Sequence, residues 1–329
     1  MMPIPQQFEI KKMTHGLYES YYFRGTMPDG SHAFWLKHNF LRRNGGSRIE
    51  VENILIVFDK KNQCTTVYRK NQELEKNEFD SLSSSNWDQY SFFFPDGSFF
   101  EISQTRVRGA MVSPDAVQWD FALKRSQQVY YHFDRPWFYR GFFPKKKILT
   151  RDIRLEFEGQ IQTSEGLQRS QWVGMNGHNW GREHAYRYAY GNCNLWKSEK
   201  DVYFDGFSAK IKLGPIISPF LSGCSLKVGE DWFHFNSVIH SWEPRVDRME
   251  RTRWKAQYQN STHRLELDVI GPEEDPGQWV VLDYAHPSGA HSWVHNTKYA
   301  KATVRLFKKT ALDVPLYQFE SNLFELETL

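Results

Sequence analysis

The sequence predicts an all-β protein made of two antiparallel β-barrel domains packed together, and three observations predict it. Aromatic residues make up 16% of the chain although its mean hydropathy is -0.65, a composition that favours strands and aromatic-lined interiors. Turn signals recur roughly every ten residues, the spacing of sandwiches and barrels and not of βαβ units. One hairpin device also occurs twice, Pro-Asp-Gly at 28–30 and again at 95–97, each time between alternating aromatic arms. Proline sets φ and glycine takes the positive-φ position, so both read as β-hairpins.

In chain order, YYFRGTMPDGSHAFWLKHNF from Tyr21 is the first hairpin and IEVENILIVFD from Ile49 the next strand. YSFFFPDGSFFEI from Tyr90 is the second hairpin, and VQWDFALKR from Val117 and IRLEFEGQIQT from Ile153 add further arms. Helical character is confined to short stretches, Lys70–Leu82 and Pro219–Gly223. The second half repeats the strand habit in VYFDGFSAKIKL from Val202, SLKVGEDWFHFNS from Ser225, RTRWKAQYQN from Arg251, HRLELDVIG from His263, WVVLDYAHP from Trp279 and KATVRLFK from Lys301. About sixteen short strands exceed one small barrel. A boundary is therefore expected in the polar stretch TSEGLQRSQ, residues 163–171, giving an N-terminal barrel of residues 1–165 and a C-terminal barrel of residues 166–329.

Bulk properties exclude several functions. Lys and Arg number 42 against 39 Asp and Glu, a formal charge of +3, so no net field calls for nucleic acid. Cys64, Cys193 and Cys224 are widely spaced with no C-x-x-C among them, which argues against a disulfide framework. The opening MMPIPQQFEIKK has no apolar core of a signal peptide, so the cytoplasm is the expected place. The run GPIISPFLSGCSL, Gly214–Leu226, is too short and too broken to span a bilayer but suits peripheral contact with one. Phosphate-binding glycine loops and G-x-S-x-G elbows are absent.

The densest chemistry lies in MNGHNWGREHAYRYAYGNCN, residues 175–194. If residues 175–182 are extended, His178 and Trp180 share a face, pairing a proton carrier with a flat aromatic wall. Glu183, His184, Arg187 and Tyr188 follow; the alternative is a turn at Asn179–Gly181 with solvated charges. In VYFDGF, Tyr203, Asp205 and Phe207 share a strand face. Turned inward, that face sets a carboxyl group between two rings, where desolvation favours the neutral, proton-donating acid. Such an acid beside π faces suits protonation of an alkene. The alternative is a hairpin turn at Asp205–Gly206 with the carboxylate in water. His286, His291 and His295 lie near Asp283, but their spacing matches no recurrent zinc pattern, so no metal is expected.

GLYESYYFRGTMPDGSHAFWLKHNF near the start, followed by GMNGHNWGREHA at mid-chain, resembles the lipocalin-like superfamily of carotenoid 1,2-hydratases (hydroxyneurosporene synthases), tocopherol cyclases and related pericyclase-type enzymes. The resemblance implies two lipocalin-like β-barrels with a hydrophobic ligand near their junction. It also implies an acid site made of a His-x-Trp pair and a Tyr-x-Asp pair, matched here by His178 with Trp180 and by Tyr203 with Asp205. In that reading Asp205 donates the proton, His178 positions it or a water, and Trp180 and Tyr203 line the cation pocket. Glu19, Tyr21, Trp35, Glu101, Glu183, His184, Arg187, Phe207 and Trp293 are secondary candidates for binding substrate, with a structural salt bridge the equal alternative for Glu19 and Glu101. The expected function is acid-catalysed hydration, isomerisation or cyclisation of an apolar, unsaturated, isoprenoid- or polyene-like molecule, with no cofactor. The rival readings are a carrier of a hydrophobic ligand and a partner-binding surface. The sequence does not indicate an oligomeric state.

Overall fold

The computed structural model describes residues 9–12, 15–81, 86–112, 115–140, 143–197, 199–237, 245–273 and 277–329. The first half contributes α1 (Glu9–Lys12), β1 (Leu17–Thr26), β2 (His32–Arg42), β3 (Ile49–Asp59), β4 (Cys64–Leu74), α2 (Lys76–Ser81), β5 (Tyr90–Phe93), β6 (Phe99–Ile102), β7 (Arg106–Met111), β8 (Val117–Arg125), β9 (Tyr130–Tyr131), α3 (Trp137–Arg140), β10 (Lys146–Thr163) and β11 (Gly166–Gly181). The second half contributes β12 (Arg187–Cys193), β13 (Val202–Lys210), β14 (Lys212–Leu213), β15 (Ile216–Ile217), β16 (Leu221–Val228), β17 (Asp231–Phe235), β18 (Arg245–Glu250), β19 (Arg253–Gln259), β20 (His263–Ile270), β21 (Val280–Ala285), β22 (His291–Lys308) and β23 (Tyr317–Thr328).

These strands form two large antiparallel sheets, the all-β lipocalin-like architecture expected. The first runs β4-β3-β2-β1-β11-β10-β8-β7-β6-β5 with β9 added on β10, and the second runs β17-β16-β13-β12-β23-β22-β20-β19-β18 with β21 added on β22. Each sheet has its own core. Tyr21, Phe34, Trp87, Trp119 and Trp172 fill the first, and Phe204, Trp254, Tyr258, Leu265 and Phe324 fill the second. Alternation then sends the neighbouring residues of the same strands outward, where Tyr22, Trp35 and Ile56 of the first sheet meet Val280, Leu282 and Tyr299 of the second. All ten residues of β1 are buried because one face looks into its own core and the other into this junction.

Both Pro-Asp-Gly turns fall between paired strands, with Gly30 at φ +72 and Gly97 at φ +88. The stretch 163–171 forms the β10–β11 turn and the start of β11 within the first sheet, and the chain crosses to the second sheet at 182–186. Two local expectations are corrected. Helix begins only at Lys76, because Lys70–Leu74 complete β4 and pair along β3. Leu221–Gly223 are extended, since the ladder to β13 captures them. In both places tertiary pairing overrides a weak local preference.

Candidate active site

The two i, i+2 pairs on which the sequence reading centred fold into different places. His178 and Trp180 share a face of β11 as expected, but it is the inner face of the first sheet. The His178 ring stacks on Tyr21 at 4.0 Å and on Trp180 at 4.3 Å, and its Nε2 lies 2.9 Å from Glu19 Oε1. Glu19 also accepts from the Tyr21 hydroxyl at 2.9 Å and from the amides of Glu9 and Ile10 at 3.0 and 2.8 Å. This carboxyl group is buried and ties α1 to β1, the structural alternative for Glu19.

Asp205 approaches the opposite face of the same sheet. It lies in the middle of β13, paired with Asn192 and Ser225, so the turn alternative does not hold. Phe204 on the other face enters the second core, which leaves Tyr203, Asp205 and Phe207 facing the junction. Asp205 is fully buried there. Its Oδ2 accepts from the Tyr203 hydroxyl at 2.5 Å, the Thr150 hydroxyl at 2.6 Å and the Tyr190 hydroxyl at 3.3 Å. Its Oδ1 lies 2.9 Å from His132 Nε2. Burial first, and the Asp205 charge second, hold the Tyr203 and Tyr190 phenols well above their ordinary range, so both stay O–H donors.

His132 is the residue that sequence reasoning missed. It follows β9, which pairs Tyr130 and Tyr131 with Thr150 and Leu149, and the ladder of β10 shifts register just beyond Thr150. Such an irregularity bends a strand and re-aims its side chains. The only sequence signal was an aromatic run, VYYHFDRPWFY, that has no distinctive spacing. With Nε2 on Asp205, the other nitrogen, Nδ1, is buried without a hydrogen-bond partner among the described residues.

His132 and Tyr190 line a cavity of about 210 Å³ at the junction, whose walls include Phe133, Phe138, Ile148 and Phe207. Of the predicted residues, Trp35, Glu183, His184 and Phe207 also line it. Glu183 accepts a 2.8 Å bond from Lys145. His184 stacks on Tyr18 at 4.0 Å, and burial, then Lys146, His286 and Lys37, push its imidazole well below the usual range. The others lie elsewhere. Glu19 and Tyr21 are in the first core region, Glu101 pairs with Arg108 on the surface, exposed Arg187 donates to the Met249 carbonyl, and Trp293 is 61% exposed. His291 pairs with Asp283 at 2.7 Å and His286 with the Ser292 hydroxyl at 2.8 Å, and no group of three or more metal-ligating residues occurs among the described residues.

Beside the cavity the junction is held by buried charge. Arg24 pairs with Glu325 at 2.5 Å and Glu327 at 3.2 Å, and stacks over the rings of Tyr22 and Trp35. Lys298 joins Glu325 at 2.8 Å, and Tyr188 donates to Glu327 at 2.6 Å. The first and second sheets are therefore fastened by one polar network that also forms part of the cavity wall.

No family model matches the chain, and no curated sequence matches it. Among solved structures it is similar to a protein of Nitrosomonas europaea assigned as an AttH, with a TM-score of 0.55 and 11% identity over 99% of this chain and 96% of that one. It is also similar to CghA, with a TM-score of 0.56 and 9% identity over 95% of this chain and 87% of that one. At such identities the likeness is one of fold, and the chain shares with these proteins an arrangement that extends over nearly its whole length.

Proposed function

We propose that the protein is an enzyme that moves a proton to or from an apolar, unsaturated small molecule held in the junction cavity, and so hydrates, isomerises or cyclises it. One observation carries the reading: His132 lines an apolar cavity, is anchored through Nε2 to a fully buried carboxyl group, and has no partner for Nδ1 among the described residues. An Nε2–H given to Asp205 makes Nδ1 the lone-pair nitrogen of neutral imidazole, a base; protonated, the same nitrogen is an acid. Asp205 then orients the ring and stabilises its cation, while Thr150, Tyr190 and Tyr203 fix the carboxyl group. This changes the roles expected from the family resemblance. Asp205 keeps the central place, with His132 in the part assigned to His178, and the aromatic walls that would stabilise a carbocation are Tyr190 and Phe207 in place of Trp180.

Leu213 lines the cavity and is 45% exposed, and Ile216 and Ile217 are exposed on the same hairpin, an apolar rim suited to receiving a ligand from a lipid phase. Among the described residues, no helix is long and apolar enough to cross a membrane. The divergence of His178 from Asp205 favours the second reading, a carrier without chemistry. Native mass spectrometry of protein purified from its host, with extraction of the bound molecule, supplies the compound that separates the two. An enzyme converts it, and His132→Asn or Asp205→Asn lowers turnover by about 10²–10⁴-fold while binding persists. Unchanged turnover in both variants removes the dyad, and failure to convert the compound leaves the carrier.

A further inference from the structure

We propose that the cavity selects an apolar carboxylic acid, with the carboxylate seated against Lys146 and the hydrocarbon running toward His132. This deepens the preceding reading and rests on it. Lys146 lines the cavity, with Nζ 4.4 Å over the Tyr188 ring, and makes no ion pair among the described residues. Its neighbours are otherwise engaged. Glu327, one of two carboxylates that line the cavity, is taken by Arg24 at 3.2 Å, Tyr188 at 2.6 Å and Asn296 at 3.2 Å. Glu183 is taken by Lys145 at 2.8 Å. The counter-charge that acts on Lys146 is Glu327, already taken by other donors, so a ligand carboxylate placed against Lys146 supplies a partner of its own and this end of the cavity favours an anion.

The strands set the distance to the dyad. Lys146, Ile148 and Thr150 alternate along one face of β10, so Lys146 and the Thr150 that holds Asp205 are four residues apart, about 13 Å along the strand. Ile148 forms an apolar wall between them. Tyr188 and Tyr190 repeat the relation on β12, the first beneath Lys146 and the second bonded to Asp205. The cavity is therefore polar at two ends and apolar between, which matches an acid whose reacting carbon lies several bonds from its carboxylate.

Decanoate and 1-decanol, of one chain length and different head, test this by calorimetric titration of the whole protein. The expected result is decanoate bound at least tenfold tighter than decanol. Lys146→Met should erase that preference while leaving decanol affinity unchanged, and Lys146→Arg should retain it. Retained decanol binding shows that the methionine variant is folded, and Lys146→Gln must repeat its behaviour. Equal affinity of the native protein for both compounds overturns the proposal, as does a preference that survives in both neutral variants. Binding of neither compound overturns the cavity-ligand reading itself, an outcome distinct from equal binding.

Discussion

At the scale of single residues, the junction differs from an ordinary protein interior in how much charge it buries. Arg24 is 5% exposed, and two carboxylates and three aromatic rings depend on it. Removing one member of such a group leaves the others desolvated and unpaired, which costs more than the intact network gains. Arg24→Met should therefore lower stability by about 3–5 kcal/mol in urea unfolding, far more than an exposed pair such as Arg48 with Glu75, for which about 0–1 kcal/mol is expected. A loss under about 1 kcal/mol would mean that the charges are solvated and that the junction is looser than described. Glu327 joins this network to Tyr188 in the cavity wall, so the variant should also weaken ligand binding.

At the scale of elements, β11 is where two functions of one strand are separated by its pleat. His178 stacks on Tyr21 of the first core and Trp180 packs beside it with Tyr139 and Leu149, while Gly177 and Asn179 face the junction. Gly177 has no side chain because the Tyr22 ring lies across it, at the place where a Cβ would stand. The ring lines the cavity as a result. Gly177→Ala should force the ring aside, costing about 1–3 kcal/mol by overpacking and reducing ligand affinity. Thermal unfolding and a binding titration together check this; full affinity in the variant would show that the Tyr22 wall is not needed.

At the scale of the whole molecule, buried lysines at the junction make stability depend on pH. Burial pushes the Lys37 and Lys298 ammonium groups down to about 7, against the pull of Glu327 on the first and Glu325 on the second. An unfolded chain holds those protons up to about pH 10.4, so between the two values the unfolded state binds more protons and stability rises with pH. The contribution is complete above the unfolded value and is lost as pH falls toward 7. Buried thiols oppose it from about pH 9, since burial raises Cys193 to about 12. The urea midpoint should therefore be higher at pH 8.5 than at pH 7, and the slope should flatten in a Lys37→Met, Lys298→Met double variant. A midpoint that falls over that interval would refute the assignment. His184, depressed by burial, adds a loss of stability at acid pH.

The sequence by itself determined the class of fold, because alternation, aromatic content and Pro-Asp-Gly turns are local and act within a few residues. It also placed Tyr203, Asp205 and Phe207 on one face and His178 with Trp180 on another, because strand period is a local property. Only the tertiary structure decided what each face meets. His178 turned into the core of its own sheet, and Asp205, on a strand of the other sheet, met His132, which lies 73 positions earlier in the chain. Neither periodicity nor spacing encodes that meeting. It depends on how two twisted sheets pack, on a register shift in β10, and on a buried charge network contributed by strands from both ends of the chain. The cavity, and the meeting of His132 with Asp205 beside it, is a property of the junction and of no single segment.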